Sequence, residues 1–319
     1  MPINKKRAEE IMSYLTLNGR SETLTKFSIT KDTLDRYIRF AKQYNVSDVD
    51  KSKLLSKIAS TFSDDELKAI ANGGRIVPGL SKVPIVNFEG ERIRIGAMTD
   101  THIGSINSPD SRIFQAFDEF QKEKVDFITI SGDICEGMSN RPGHVYELSH
   151  IGYDKQKTKA IEIFSQWLDT DIYAIDGNHD RWFIKSNGAL IVKDIAENID
   201  NFHFIGHDEG DISLKGKAVL KLWHGEDGNS YSLSYRLQKI IESFSGGEKP
   251  NVMICGHTHK YVKIFERNIY AISAGSIQSQ TPWMRGKRIA AHVGFSIIDI
   301  WVNKSGVCKV TDTWYPFYT

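Results

Sequence analysis

Cysteine is scarce in this chain. There are three in 319 residues, Cys135, Cys255 and Cys308, and no C-x-x-C pair. An odd count without paired spacing excludes a disulfide framework and a thiolate zinc site; free thiols in a reducing compartment, the two near the motifs below serving as small core residues, are the simplest account. Long apolar runs are also missing: no stretch approaches the roughly 20 residues needed to cross a bilayer. The first ten residues lead into a charged helical pattern without the apolar core of a signal peptide. A cytoplasmic protein with no membrane partner is the resulting expectation. Net charge is nearly absent too, at +1, but it is unevenly divided. Residues 1–84 carry 15 Lys and Arg against 10 Asp and Glu, whereas the remainder carries 26 against 30. With 40% hydrophobic and 25% charged residues, the chain can bury a full core and has room for one large domain and a small one.

What the chain does have is five short polar motifs, each placed where an apolar strand should end. They are Asp100-Thr101-His102, Gly132-Asp133 with Glu136, Gly177-Asn178-His179-Asp180, His224-Gly225 and Gly256-His257-Thr258-His259. The strands expected before them cover residues 92–98, 127–131, 171–175, 218–223 and 252–255, and an open α/β sheet gathers its sites at such ends. Glycines 132, 177, 225 and 256 are placed to let the backbone turn sharply. Together the motifs offer two carboxylates, one amide and four imidazoles, enough to hold two divalent metals sharing one carboxylate. His179 is left over as a proton donor. Two metals about 3.5 to 4 Å apart can bind a phosphate's oxygens and activate the attacking water.

In order and residue type the motifs resemble the calcineurin-like metallophosphoesterases, whose pattern is D-x-H, G-D-x-x-[D/E], G-N-H-[D/E], H and G-H-x-H. The resemblance runs from about residue 92 to the C-terminus. It implies that Asp133 bridges the metals, that Asp100, His102 and His259 complete one site, and that Asn178, His224 and His257 complete the other. It also implies that His179 protonates the leaving oxygen or stabilises the transition state, with Asp180 orienting it. Glu136 stands where most members have Asp and is read as a supporting residue outside the ligand set. The mixed donor set suits manganese, the preferred metal, or iron, zinc or nickel, better than calcium.

Apolar residues recur at helical spacing over residues 111–122 (Ile113, Phe114, Phe117, Phe120) and 154–168 (Ala160, Ile161, Phe164, Leu168). After His259 only short strands are expected. Two packed mixed β-sheets flanked by helices, as in the family, would accommodate this succession. The fold class is therefore α/β with a small all-α N-terminal domain: residues 1–72 helical, 73–90 linker, 91–319 the metallophosphoesterase domain.

Outside the ligand set, the irregular segment 137–153 should overhang the metals, which makes Arg141, His144 and His150 candidate substrate contacts. Arg181 is another, with pairing to Asp180 as its alternative. So is Arg285, in a cationic run with Lys287 and Arg288 beside Trp283 that could hold a phosphate backbone and stack a base. His203, His207 and His292 read as surface or packing residues. In the N-terminal region, helices are expected over residues 6–17, 21–27, 31–44 and 50–71, with a break at Asn18-Gly19. The third would carry Lys31, Arg36, Arg39 and Lys42 outward, a helix-turn-helix-like arrangement suited to DNA; a helical cap or a homo-oligomer contact is the alternative. The functional expectation is a phosphodiesterase or nuclease acting on nucleic acid or nucleotides. A phosphomonoesterase, or a DNA-binding or interaction module with a scaffold phosphoesterase domain, remains open.

Overall fold

The computed structural model describes residues 5–43, 83–167, 169–226, 230, 232–245 and 249–318, and the chain divides into two units, residues 1–71 and 72–319. In the first, α1 (Lys5–Phe27) and α2 (Lys31–Gln43) are joined by a short turn. The break expected at Asn18-Gly19 is one residue inside α1: Gly19 has φ 76° and ψ 175°, open to glycine without a Cβ penalty. Thr30 starts α2 by accepting the Thr33 N–H on its hydroxyl at 3.3 Å. Ala8, Ile11, Leu34 and Ala41 are buried, as the helical spacing requires, while Lys31, Arg36 and Arg39 are exposed. The helix expected over 50–71 and the side chain of Lys42 lie outside the described residues.

The second unit contains twelve strands among the described residues. One sheet has the order β12-β11-β2-β3-β4-β5, with β2 (Arg92–Met98), β3 (Phe127–Ser131), β4 (Ile172–Asp176) and β5 (Phe202–His207) parallel. Its β11 (Gly294–Asn303) and β12 (Gly306–Pro316) run antiparallel. The other has the order β1-β6-β7-β8-β10-β9. It is built from β1 (Ile85–Val86), β6 (Glu209–Leu214), β7 (Ala218–Trp223), β8 (Val252–Cys255), β9 (Tyr261–Glu266) and β10 (Ile269–Ala274). Residues 85–86 fall in the segment expected to be linker; they pair in parallel with Ser213 and Leu214 of β6.

Side-chain alternation along the strands decides the layering. Ile93, Ile95 and Ala97 of β2 pack against Leu220, Leu222, Val252 and Ile254 of the other sheet. Ile128 and Ile130 of β3 face outward, onto Phe117 and Phe120 of α3 (Asp110–Lys122) and Ile163 of α4 (Tyr153–Phe164). Met253 and Cys255 of β8 likewise turn outward, beneath Leu237 and Ile241 of α7 (Tyr235–Ser243), which follows α5 (Trp182–Asn187) and α6 (Ile191–Ala196) in the chain. Strands buried on both faces read as continuous apolar runs, which is why 127–131 and 252–255 stand out in the sequence. The result is two mixed sheets flanked by helices. The helix expected over 154–168 ends at Phe164, and Leu168 lies outside the described residues. All three cysteines are free, Cys135 and Cys255 being buried in the core. No described helix is long and apolar enough to cross a membrane.

Candidate metal centre

The ends of five strands supply the seven candidate ligands. Asp100 and His102 follow β2, Asp133 follows β3 and Asn178 follows β4, whereas His224 follows β7 and His257 and His259 follow β8. Both sheets thus contribute, and their carboxyl ends meet here. Asp100, His102, Asp133, His257 and His259 all have φ between 43° and 72°. Left-handed backbone at non-glycine residues costs of order 1–3 kcal/mol each and persists only where surrounding contacts over-determine it. Backbone bonds do so here: Asp100 N–H to the Gly132 carbonyl (3.1 Å), His102 N–H to Asp133 (3.0 Å) and Gln278 N–H to Asp100 (3.2 Å). The folded-back chain turns successive side chains toward one point.

Gly132 shares the left-handed conformation (φ 86°), and a Cβ there would lie 2.4 Å from His224 Nδ1. Gly177 needs glycine for space instead. Its Cβ would sit 2.2 Å from Asp133 Oδ1 and 2.5 Å from Asp133 N. Gly177→Ala is therefore expected to displace the Asp133 carboxylate, lowering stability by about 1–3 kcal/mol, the usual cost of overpacking, and weakening metal binding. Thermal melting with metal analysis checks this; unchanged binding would show that the strand ends have more slack than the geometry indicates.

The donors fall into two linked groups. His102 Nε2 and His259 Nε2 are 3.2 Å apart and lie 3.8 and 3.1 Å from Asp100 Oδ1. His224 Nε2 is 3.1 Å from Asp133 Oδ2 and 3.2 Å from Asn178 Oδ1, which is 2.9 Å from His257 Nδ1. Asp133 Oδ2 also lies 3.8 Å from His102 Nε2, so this carboxylate spans both groups.

The donor chemistry fits divalent metal. His224 Nδ1 lies 2.7 Å from the Ser131 carbonyl and must donate to it, which turns the Nε2 lone pair toward the Asp133 carboxylate. His102 Nδ1 lies at ion-pair distance, 3.0 Å, from Glu136 Oε2, and with its proton drawn to that carboxylate Nε2 faces His259 and Asp100. Facing lone pairs need a cation between them. Without metal that cation is a proton. Burial alone would lower both histidines, yet Glu136, then Asp133 and Asp100, carry His102 up to about 9, and Asp133, then Asp100, carries His224 up to about 10. Burial and the neighbouring His224 charge push His257 down to about 4. Against its burial, Asp133 is held well below the carboxylate range by His224, His179 and His102.

Glu136 acts on the ligands from behind. It is buried, with Oε1 2.9 Å from His144 Nε2 and Oε2 accepting from Gln278 Nε2 at 2.7 Å as well as facing His102. Its backbone carbonyl accepts from His179 Nδ1 at 2.8 Å. The His179 ring lies tilted against Trp182 (3.9 Å, 33°) and lines a cavity of about 500 Å³ together with His102, Asp133, Asn178, His257 and His259.

Several other candidate residues have partners of their own. Asp180 does not orient His179; its buried carboxylate accepts the N–H groups of Ile134, Cys135 and Gly177 at 2.8 to 3.1 Å, tying two ligand loops together. Burial and then Asp133 raise its pKa to about 7. His144 is buried, with Nε2 on Glu136 and Nδ1 accepting from the Ser139 N–H (3.2 Å), so neither nitrogen is left for substrate. Arg181 pairs with Asp208, Glu226 and Asp176, not with Asp180 or the cavity. His150 bonds Ser149 and, like Arg285, is not among the cavity-lining residues. Arg141 does line the cavity, but its guanidinium is held by both oxygens of Glu147 at 3.1 and 2.9 Å. Sequence reasoning missed Trp182 and Gln278. The first was signalled only as an aromatic residue two positions after Asp180, the second as one amide in a polar run. His203 and His207 pair with Asp171 and Asp176, and His292 Nδ1 accepts from the Tyr261 N–H, in keeping with packing roles.

Residues 93–293 match the calcineurin-like phosphoesterase superfamily domain, and the chain belongs to that superfamily. The superfamily uses a dinuclear divalent metal centre, for which the clusters above are the candidate ligands. Among curated proteins, the chain is similar to the DNA polymerase II small subunits of Halobacterium salinarum and Archaeoglobus fulgidus. It is 22% identical to the first over 82% of this chain and 60% of that one, and 24% identical to the second over 64% and 50%. This chain thus spans about half to three-fifths of the length of those relatives. Among solved structures, an archaeal phosphodiesterase is 21% identical over 70% of this chain and 100% of its own, with a TM-score of 0.40. The Yfce phosphoesterase of E. coli is 15% identical over 69% and 98%, also at 0.40.

Proposed function

We propose that this chain hydrolyses phosphodiesters of nucleic acid at a dinuclear metal centre. The observation that carries this reading is the composition of the cavity in front of the ligands. Among the described residues, Asp133, Glu136, Glu147 and Glu226 line it, the one lining arginine is committed to Glu147, and beside the histidines and small polar groups stand Trp182, Trp283, Met284 and Ile289. Among those residues a monoester's terminal dianion finds no uncommitted arginine or lysine, whereas a singly charged diester needs no such partner and its nucleosides can lie against the aromatic and apolar part of the wall. The naming of the curated relatives as DNA polymerase small subunits supports nucleic acid as substrate. So do the exposed cations Lys31, Arg36 and Arg39 of α2 and Arg285, Lys287 and Arg288 beyond the cavity.

When bound, the metals would polarise the phosphate and activate the attacking water. The chain's part is to hold and orient. Asp100, His102 and His259 form one half of the ligand set, Asn178, His224 and His257 the other, and Asp133 joins them. His179 stands at the cavity with Nδ1 fixed on the Glu136 carbonyl, leaving Nε2 for the departing oxygen.

A substrate panel with manganese tests the proposal. Bis-p-nitrophenyl phosphate and single-stranded DNA should turn over faster than p-nitrophenyl phosphate, and chelation should stop all three. A preference for the monoester would make this a phosphatase; metal bound without any turnover would favour a scaffold role.

A further inference from the structure

Trp283 is half exposed, at 46%, yet it lines the same cavity as the candidate ligands. Its backbone is held on both sides. Thr281 Oγ1 caps the short helix α8 (Pro282–Gly286) by accepting the Met284 N–H at 3.2 Å, Met284 is buried, and Gln280 Nε2 bonds the Ile289 carbonyl at 2.7 Å. The loop returns to the ligand segment through the His292 N–H on the His259 carbonyl at 2.8 Å. An indole presented to solvent by a braced loop, within a metal-binding cavity, is a preformed flat surface. Directly after it, Arg285, Lys287 and Arg288 are exposed and have no ion-pair partner among the described residues. At about 500 Å³ the cavity is in the range that takes a small molecule, hence one nucleotide rather than a duplex.

Building on the nucleic-acid reading above, we propose that Trp283 stacks an unpaired base next to the scissile phosphate, with Arg285, Lys287 and Arg288 following the backbone beyond it, so that the site takes single-stranded nucleic acid. A paired base has both faces occupied by its neighbours and could not lie on the indole. Stacking tolerates any base, because every base has a π-face, so the resulting selectivity is for strandedness rather than sequence.

The test compares two probes by fluorescence anisotropy in the full chain, manganese-loaded and carrying His179→Ala so that the probes survive. One is a short thymidine oligonucleotide, the other a tetrahydrofuran chain with the same phosphates and no bases. The base-bearing probe should bind about tenfold or more tightly, from the usual worth of one aromatic stack. Adding Trp283→Ala should erase that ratio and leave the salt slope alone, while Trp283→Phe should restore part of it. Replacing all three cations with alanine should do the reverse, keeping the ratio and flattening the slope by up to about 0.7 per lost phosphate contact. Equal binding of both probes by the parent protein would overturn the proposal, as would a ratio that survives Trp283→Ala in a variant with normal melting and metal content. A preserved, Trp283-dependent ratio in a protein that cuts no DNA would support the stacking surface and count against hydrolysis alone.

Discussion

Asp133→Asn should lose metal at both halves of the centre and reduce turnover by at least about 10²- to 10³-fold, the scale of removing one fixed charge from a reacting site. Asp133 Oδ2 faces His224 Nε2 at 3.1 Å and His102 Nε2 at 3.8 Å, while Oδ1 accepts the His179 N–H at 2.9 Å. The amide preserves size and can still accept that N–H, but it removes the charge on the one oxygen that faces a histidine of each group. The fold of the metal-free protein should be retained by circular dichroism, with melting lowered by loss of the buried Asp133–His224 pair, while metal content measured by mass spectrometry should fall from two equivalents toward none. Wild-type activity in this variant, or in metal-stripped wild-type protein, would sink the dinuclear reading.

His179→Ala should separate binding from chemistry. Its ring is placed by the Glu136 carbonyl and by Trp182 and meets the candidate ligand His102 only edge-on (centroids 4.6 Å apart), so both metals should remain while the rate falls by about 10²- to 10⁴-fold. The loss should be greatest for alkyl leaving groups, because a nitrophenolate departs without a proton. The sign of the pH dependence follows from the same geometry. Neutral His179 has its one N–H on Glu136, so only the imidazolium can give a proton from Nε2. Burial lowers its pKa from the ordinary 6.5. The His179-dependent part of kcat/KM should thus be present at acid pH and fall as pH rises through a value below 6.5, and the alanine variant should lack that limb. Loss of one metal equivalent on His179→Ala would instead make this residue a ligand.

The sequence was most legible where local chemistry and periodicity coincide. Residues 92–98, 127–131, 218–223 and 252–255 are strands with those bounds, because period-2 alternation or burial on both faces leaves its own mark on composition. The seven ligand candidates were nameable because each sits directly after such a strand, in a short polar motif. The glycines were half understood. Gly132 turns the chain, but Gly177 is required by the Asp133 carboxylate, which comes 44 residues earlier (177 − 133).

By itself, then, the sequence determined the alternation of strands and helices and the residue types gathered at the strand ends, since those depend on neighbours within a few positions. Only the tertiary structure decided what each polar side chain touches. Asp180 was drawn to backbone N–H groups rather than to His179, His144 was buried behind Glu136, and Arg181 was taken up by Asp208 and Glu226. A carboxylate, imidazole or guanidinium bonds equally well to any complementary group within reach. Which group that is depends on how chain segments tens of residues apart are packed, and no local pattern records it.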